Sequence, residues 1–140
     1  MFITRASRHD KEDVKAFYEA QDWHDAEVDK GVVFCAREGG VIAALRLIEV
    51  APHTIVADDV VVADGRRGQG IGRQLLQAAM NSRGGTIYLS CHEEALGFYG
   101  RSGFEQIDVT KAPPEVLDYF TSEGNYPFTE DHVHYFLKAR

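Results

Sequence analysis

The sequence lacks the features that define several classes of protein. Its only two cysteines, Cys35 and Cys91, stand in separate apolar stretches without CxxC spacing, which excludes a disulfide framework or a zinc clip and predicts two buried small hydrophobic residues. No apolar run approaches the ~18 to 20 residues of a membrane span. The N-terminus is charged by Arg5, which argues against a secretory signal. We therefore expect a soluble, cytoplasmic protein.

Positive charge and metal-ligand clusters are also scarce. There are 15 Lys and Arg against 22 Asp and Glu, which gives a formal net charge of −7. This balance repels nucleic acid and anionic lipid, so we expect neither a nucleic-acid nor a membrane partner, and a small-molecule or cationic partner instead. His132 and His134 would share one face of a strand without a third ligand, so no metal site is expected.

The 140 residues are expected to form a single domain over 1–140, because 44% of them are apolar and no repeat or linker interrupts the chain. Short strands alternate with helices, which is typical of an α/β or α+β domain. The predicted helices are a first one from Ser7 or Asp10 to Ala20, a weaker one over Trp23 to Lys30, then Ile71 to Arg83, Glu93 to Ser102, and one starting at PPEVLDYF. The predicted strands are FITRA, VVFCAR and VIAALRLIEV joined as a hairpin at Glu38 to Gly40, then TIVADDVVV, TIYLS, FEQIDV and VHYFLKA.

The most informative stretch is RRGQGIG, which separates a strand from an amphipathic helix. It contains Gly68, Gly70 and Gly72 together with Arg66, Arg67 and Arg73. Backbone N–H groups at a helix start, left accessible by glycines and flanked by arginines, form a site for phosphate. The glycines alone also fit a plain turn between a strand and a helix. A P-loop is excluded because GK[ST] is missing, and a dinucleotide fold because the glycines do not follow the first strand.

These residues resemble the GNAT superfamily of acyl-CoA-dependent N-acetyltransferases. The family's pyrophosphate signature, Gln or Arg, two residues, Gly, one residue, Gly or Ala, is met by Arg67, Gly70 and Gly72. A second signature, Ala, two residues, aromatic, Tyr, three residues, Gly, Phe, is met by Ala95, Phe98, Tyr99, Gly103 and Phe104. Both motifs lie in the family's order and spacing, and the resemblance covers nearly all of the chain.

The resemblance implies an α/β (α+β) GNAT fold, with a mixed, mostly antiparallel central sheet of about six to seven strands and helices on both faces. It implies an enzyme that transfers an acetyl group from acetyl-CoA to the primary amine of a small molecule, or of a peptide or lysine, by direct attack. Dimers are common in the family. The alternative is a non-catalytic acetyl-CoA binder that regulates a protein partner, which some members are.

The resemblance also implies where coenzyme A binds. The pyrophosphate lies on the amides from Gln69 to Arg73, and the pantetheine arm pairs like an extra strand beside Val60 to Val62. The implied CoA-binding residues are Val60, Val61, Val62, Arg67, Gly68, Gln69, Gly70, Ile71, Gly72, Arg73, His92 and Tyr99. His92 stands where the family often carries Asn, so it either holds the pantetheine or caps the following helix.

Three residues are candidates for the chemistry: Tyr99, Asp58 and Asp59. Tyr99 matches the family's acid for the departing thiolate, and the alternative is a ring that only packs the core. An alkyl amine is roughly one part in a thousand neutral at pH 7, so a carboxylate that removes its proton is expected.

Strand alternation predicts that Asp58 and Asp59 point to opposite faces. Asp58 is favoured, because ADDVVV resembles the acidic pair of GNAT enzymes that acetylate small amines. The alternative is that both carboxylates cap or form salt bridges at a sheet edge. Several further aromatics could line an acceptor pocket or belong to the core: Trp23, Tyr119, Tyr126, Phe128 and Tyr135.

Overall fold

The chain forms a seven-stranded mixed sheet with four α-helices over the residues that the computed structural model describes, 1–131 and 133–139. His132, half of the histidine pair considered above, lies outside the described residues. The strands are β1 (Phe2–Arg5), β2 (Val32–Arg37), β3 (Val41–Ala51), β4 (Thr54–Val62), β5 (Thr86–Cys91), β6 (Phe104–Ile107) and β7 (Tyr135–Ala139). The helices are α1 (Lys11–Ala20), α2 (Ile71–Asn81), α3 (Leu96–Arg101) and α4 (Pro114–Ser122).

The order of the strands in the sheet is β1-β2-β3-β4-β5-β7-β6. β4 and β5 run parallel, whereas β1 with β2, β2 with β3, β5 with β7 and β6 with β7 are antiparallel. The predicted mixed, mostly antiparallel sheet is therefore confirmed.

The chain divides into two compact units, the first made of Met1–Ile48 and Ala57–Arg83 and the second of Glu49–Val56 and Gly84–Arg140. A single domain over 1–140 stays a prediction.

In the first unit, α1 packs one apolar face into a core. Val14, Phe17 and Tyr18 recur at helical spacing and are buried against residues that include Cys35 of β2 and Val61 of β4. The helix begins after Asp10, whose carboxylate accepts hydrogen bonds from the backbone N–H and the hydroxyl of Ser7 at 2.8 and 2.9 Å. The predicted start of the first helix is confirmed.

The hairpin of β2 and β3 forms as predicted. Val32 pairs with Leu47, and the register shifts by one residue between Ala36 and Arg37, next to the turn. Gly39 adopts a φ of +71°, which is the left-handed conformation that a tight turn requires and glycine provides without strain. Cys35 is fully buried in this hairpin, as expected for a small hydrophobic residue.

The predicted helix over Trp23 to Lys30 is wrong. Asp22 has a φ of +59°, and the N–H of Trp23 closes the preceding turn on the carbonyl of Tyr18 at 2.9 Å, which ends α1. The carbonyl of Lys30 accepts a hydrogen bond from Arg46 of β3 instead of a helical N–H. Tertiary contacts at both ends of the segment therefore outweigh a weak local helix signal.

The second unit contains the parallel pairing. Thr54, Ile55 and Val56 of β4 pair with Thr86, Ile87 and Tyr88 of β5, and β5 continues into antiparallel pairs with β7. Its core includes Val56, Tyr88, Val116, Phe120 and Phe136. Cys91 at the end of β5 is buried as predicted, and burial raises the pKa of its thiol to about 11.

The remaining boundary differences are small. α2 ends at Asn81 instead of Arg83, and the stretch predicted as one helix from Glu93 to Ser102 is a 3₁₀ turn at Glu93–Ala95 followed by α3. The predicted strand FEQIDV ends two residues earlier, at Ile107, and the predicted strand VHYFLKA begins two residues later, at Tyr135. In the part of the chain that the structure describes, no helix is long and apolar enough to cross a membrane.

Candidate active site

The glycine-rich turn of the first unit leads directly into α2. Gly68 and Gly70 have φ angles of +80° and +77°, and a Cβ added at either would meet at most a side-chain atom at 3.9 Å. These glycines are therefore required by the backbone conformation, and the space beside them is open. The N–H of Gln74 is bonded to the carbonyl of Gly70 at 3.1 Å. The backbone N–H groups of the first helical turn, before Gln74, have no helical carbonyl four residues earlier to which they could donate. They are therefore available to an anion.

The three arginines of this turn differ in their contacts. Arg66 forms an ion pair with Glu38 at 3.1 Å, and its Nε also donates to the side-chain oxygen of Gln69 at 3.2 Å. Arg67 lies 3.4 Å from Asp64, with most of both side chains in solvent. Arg73 is exposed on the first turn of α2. The turn thus carries cationic groups at a helix start, in a chain whose net charge is negative.

Asp59 lies at the centre of a buried hydrogen-bond network in the first unit. Its side chain is 7% exposed. Its Oδ2 accepts from Nε of Arg46 at 2.6 Å, and its Oδ1 accepts from Nε1 of Trp23 at 2.8 Å. Its backbone carbonyl accepts from the hydroxyl of Tyr18 at 2.8 Å, and its N–H donates to Oδ1 of Asp58 at 2.8 Å. Each polar group of Asp59 therefore has a defined partner.

The network holds Asp59 in an unusual backbone conformation. Its φ is +53°, in the left-handed region that non-glycine residues seldom adopt, although Asp and Asn tolerate it best. Such a conformation costs of order 1–3 kcal/mol and persists where several contacts fix it. Here the contacts come from α1, the following loop and β3, through Tyr18, Trp23 and Arg46.

Asp58 differs from its neighbour in exposure. Its side chain is 26% exposed, and its Oδ2 lies 3.9 Å from a terminal nitrogen of Arg46. Both carboxylates therefore approach the same guanidinium, and the predicted placement on opposite faces is wrong. The left-handed residue interrupts strand alternation at this point, because regular alternation requires extended backbone at every position.

The charges of the network act on Tyr18. Burial, followed by the carboxylates of Asp59 and Asp58, raises the pKa of the Tyr18 hydroxyl, whereas Arg46 opposes the rise. The hydroxyl therefore stays protonated and serves as a donor to Asp59. After Asp59, burial alternates along β4: Val61 is buried in the core, and Val60 and Val62 are partly buried.

In the second unit, Tyr99 lies on α3 and is 8% exposed. Its ring makes edge contacts with Phe98 and Phe104, with ring centroids 5.0 and 5.9 Å away. Phe104 is fully in the core as predicted, whereas Ala95 and Phe98 are only partly buried. The aromatic contacts fix the orientation of the Tyr99 ring, which suits a positioned acid as well as a core residue.

His92 follows β5 directly and precedes the 3₁₀ turn at Glu93–Ala95. Its imidazole packs against that of His134, with ring centroids 4.2 Å apart and planes inclined at 44°. His92 is exposed and His134 is buried. The contact extends the antiparallel pairing of Cys91 with Tyr135 by one position. In the described residues, no group of three or more His, Cys, Asp or Glu could hold a metal ion.

Sequence reasoning did not single out Arg46, Tyr18 or His134 as site residues. Arg46 carried a usable signal, because it is a charge inside the apolar run VIAALRLIEV, as the two aspartates are in TIVADDVVV. Tyr18 was indistinguishable from the other core residues of α1. His134 was considered only as a metal ligand.

Comparison with known proteins adds an independent finding. The model of a family described as the acetyltransferase (GNAT) domain matches residues 29–106. No curated protein matches the chain in sequence. Among solved structures, Rv2747 from Mycobacterium tuberculosis, determined in complex with CoA, is 18% identical with a TM-score of 0.69, and the alignment covers 99% of this chain and 98% of that one.

Two further solved structures are similar over almost their full length. An IAA acetyltransferase from Bacillus cereus is 22% identical with a TM-score of 0.66, over 99% of this chain and 97% of that one. The ribosomal-protein-S18-alanine N-acetyltransferase from Escherichia coli is 14% identical with a TM-score of 0.65, over 98% and 90%. At such identities the likeness establishes a shared fold.

Proposed function

This chain belongs to the GNAT family of acetyltransferases, and from that premise we propose that it transfers the acetyl group of acetyl-CoA to the primary amine of a small, cationic acceptor. The observation that carries the proposal is the helix start at Gly70. There, accessible amides, a left-handed glycine and three arginines meet in a chain of net charge −7.

Coenzyme A binding is assigned to this turn. The amides from Gln69 to Arg73 receive the pyrophosphate, and Arg67 and Arg73 add charge. The pantetheine arm runs beside Val60 to Val62, with His92 as a further contact. Support for the pyrophosphate assignment comes from the open space beside Gly68 and Gly70, which allows an anion to approach the backbone closely.

The chemistry requires a base and an acid. Acetyl-CoA supplies the activated acetyl thioester, whose carbonyl the acceptor nitrogen attacks. Asp58 removes the proton from the acceptor ammonium, directly or through water, because it is the more exposed of the two carboxylates. Tyr99 donates a proton to the departing thiolate. We assign Asp59 no direct role in proton transfer, because each of its polar groups is already bonded.

The binding assignment is tested by Gly70→Val. Valine is strained at a φ of +77° and fills the approach to the amides, so the Kd for CoA, measured by calorimetry, should rise by at least tenfold, or about 1.4 kcal/mol. The matched control is Gly84→Val, since a Cβ at Gly84 meets no atom within 4 Å and its φ is not left-handed. Equal affinity in both folded variants would contradict the assignment.

Catalysis is tested by thiol release from acetyl-CoA across a panel of amines. We expect amine-dependent release with the parent, and roughly 10²-fold slower turnover with Tyr99→Phe at nearly unchanged CoA affinity, because only the hydroxyl is lost. CoA binding without turnover on any amine would favour a non-catalytic acetyl-CoA sensor. A Tyr99→Phe variant as fast as the parent would leave Tyr99 as a core residue only.

A further inference from the structure

We propose that Trp23 determines acceptor specificity, because its exposed indole ring binds a second, non-reacting cationic group of the acceptor. The inference rests on the proposed function and narrows the class of acceptor to molecules with a primary amine at one end and an alkylammonium group at the other. The reacting amine is neutral when it attacks the thioester, so the positive charge of a cationic acceptor has to be recognised at another of its groups.

Trp23 is anchored through one edge and open over much of its surface. The residue is 42% exposed, although tryptophan is among the side chains that bury the largest apolar area in a core. Its Nε1 donates to Oδ1 of Asp59 at 2.8 Å, which fixes the position of the ring. In the described part of the chain, Trp23 stacks on no other aromatic ring. The residues that join the core after it are Ala26 and Val28.

The hydrogen bond to Asp59 brings the indole close to the proposed end of the pantetheine path. That path follows β4 from Val62 to Val60, and Asp59 is the residue directly before Val60. The pyrophosphate is assigned to the amides that follow the other end of β4, so the thioester of acetyl-CoA is at the Asp59 end. A single aspartate side chain therefore separates the Trp23 ring from the strand position at which the acyl group arrives.

The charge of the segment around Trp23 is complementary to a cation. Residues 22–29 contain four acids and no Lys or Arg. Two of these acids form ion pairs with lysines, at 2.6 and 3.6 Å. The other two, Asp22 and Asp25, are exposed and flank Trp23 in the sequence. An indole face attracts an alkylammonium group through its electron-rich ring, and nearby carboxylates add to that attraction.

Trp23 is the only tryptophan of the chain, so tryptophan fluorescence reports on this position alone. The probe is an aminobutyl chain that ends in trimethylammonium, because this group prefers aromatic faces, donates no hydrogen bond and cannot lose its charge. With CoA present, we expect a saturable change in emission whose midpoint lies at a roughly fivefold lower concentration than with the same chain ending in hydroxyl. Emission that the cationic probe leaves unchanged would overturn the inference.

Activity measurements separate recognition from structural support. The readout is the ratio of kcat/KM for the trimethylammonium acceptor to kcat/KM for the hydroxyl acceptor. We expect Trp23→Leu to lower this ratio roughly fivefold, and Trp23→Phe, which keeps a weaker aromatic face, to lower it less. A purely structural defect would slow both acceptors equally and leave the ratio unchanged. The control is Phe2→Leu, which removes an exposed aromatic ring from β1 of the same unit and should keep the parent ratio.

The outcomes separate the inference from the proposed function. Thiol release with neither acceptor nor any other amine of the panel would contradict the proposed function, and the inference would fall with it. Release with both acceptors, at the same ratio in Trp23→Leu as in the parent, would overturn the inference and leave the acetyltransferase assignment standing. Circular dichroism and CoA affinity establish that each variant is folded. If Trp23→Leu does not fold, Trp23→Phe decides, since a parent ratio in that variant overturns the inference.

Discussion

The first unit contains two clusters of the same composition, one arginine with two aspartates, in very different surroundings. In the outer triad, Arg37 of β2 contacts Asp10 at 2.8 Å and Asp13 at 2.9 Å. In the inner triad, Arg46 of β3 contacts Asp59 at 2.6 Å and approaches Asp58 at 3.9 Å. The arginine side chain is 30% exposed in the outer triad and 4% exposed in the inner one.

The difference in burial changes how much these ion pairs contribute to stability. In the outer triad, Arg37 remains partly exposed to water, so each contact contributes about 0–1 kcal/mol and the loss of either aspartate does not leave a fully buried charge. In the inner triad, loss of Arg46 or of Asp59 leaves its buried partner without its nearest counter-ion, which costs about 3–5 kcal/mol. Within the inner triad, Arg46 lies 2.6 Å from Asp59 and 3.9 Å from Asp58, so the two acids share one cation unequally.

The largest expected effect is on folding. Arg46→Met removes the guanidinium and leaves Asp59 buried without a counter-ion, so the free energy of unfolding should fall by about 3–5 kcal/mol. Arg37→Met removes two such contacts and should reduce it by no more than about 2 kcal/mol. Urea denaturation followed by circular dichroism measures both. Equal losses in the two variants would show that burial does not separate the triads.

The next effect is on the reaction rate. Asp58→Asn removes the base, and the rate should fall by roughly 10²-fold at pH values where the acceptor amine is protonated. The loss should shrink as the pH approaches the pKa of the amine, because the neutral nucleophile then needs no base. Asp13→Asn, the equivalent removal of one acid from the outer triad, should leave the rate unchanged.

Two results would count against this assignment. A pH-independent loss in Asp58→Asn would indicate a structural effect instead of proton transfer. A larger, pH-dependent loss in Asp59→Asn would move the base to the neighbouring residue. Thiol-release assays from pH 6 to pH 10, with every variant at saturating acetyl-CoA, distinguish these cases.

The inner triad also marks where sequence reasoning succeeded and where it stopped. The hairpin and the helix after RRGQGIG follow from periodicity and glycine placement, which are local properties of the chain, whereas the mixed sheet was predicted only from the family resemblance. The sequence also indicates that the two acids in TIVADDVVV must be stabilised by solvent, a partner or a substrate amine. The partner in the structure is Arg46, and this contact depends on β3 lying beside β4 in the sheet. The approach of both acids to Arg46 depends on a left-handed residue, with a φ of +53°, inside a strand.

The segment after α1 illustrates the same limit. Its local pattern predicts a helix, but Trp23 is bonded to Asp59 of β4, 36 residues along the chain. Contacts of such sequence separation cannot be read from a window of ten to fifteen residues, which is the scale on which helix propensity acts. The site is thus built by non-local hydrogen bonds between segments that are individually unremarkable.

A smaller effect is expected for the hydrogen bond that Trp23 gives to the inner triad. Trp23→Phe keeps an aromatic ring but removes the N–H that donates to Oδ1 of Asp59 at 2.8 Å, so the free energy of unfolding should fall by about 1–2 kcal/mol. The comparison is Ser7→Ala, which removes the hydroxyl bonded to Asp10 at 2.9 Å in the exposed outer triad. That loss should not exceed about 0.5 kcal/mol. A Ser7→Ala effect as large as that of Trp23→Phe would contradict the distinction.

The smallest effect concerns acid stability of the outer triad. The backbone N–H and hydroxyl of Ser7, and then Arg37, hold the pKa of Asp10 below its ordinary 3.8. A carboxyl whose pKa is lower in the folded state stabilises the fold above the unfolded pKa, and this contribution is lost as the pH falls through the folded pKa. The difference in unfolding free energy between the parent and Asp10→Asn should therefore be constant from pH 7 to pH 5 and shrink below pH ~4. Urea titrations at each pH measure it, and a difference that stays the same down to pH 3 would mean that Asp10 stabilises α1 without its charge.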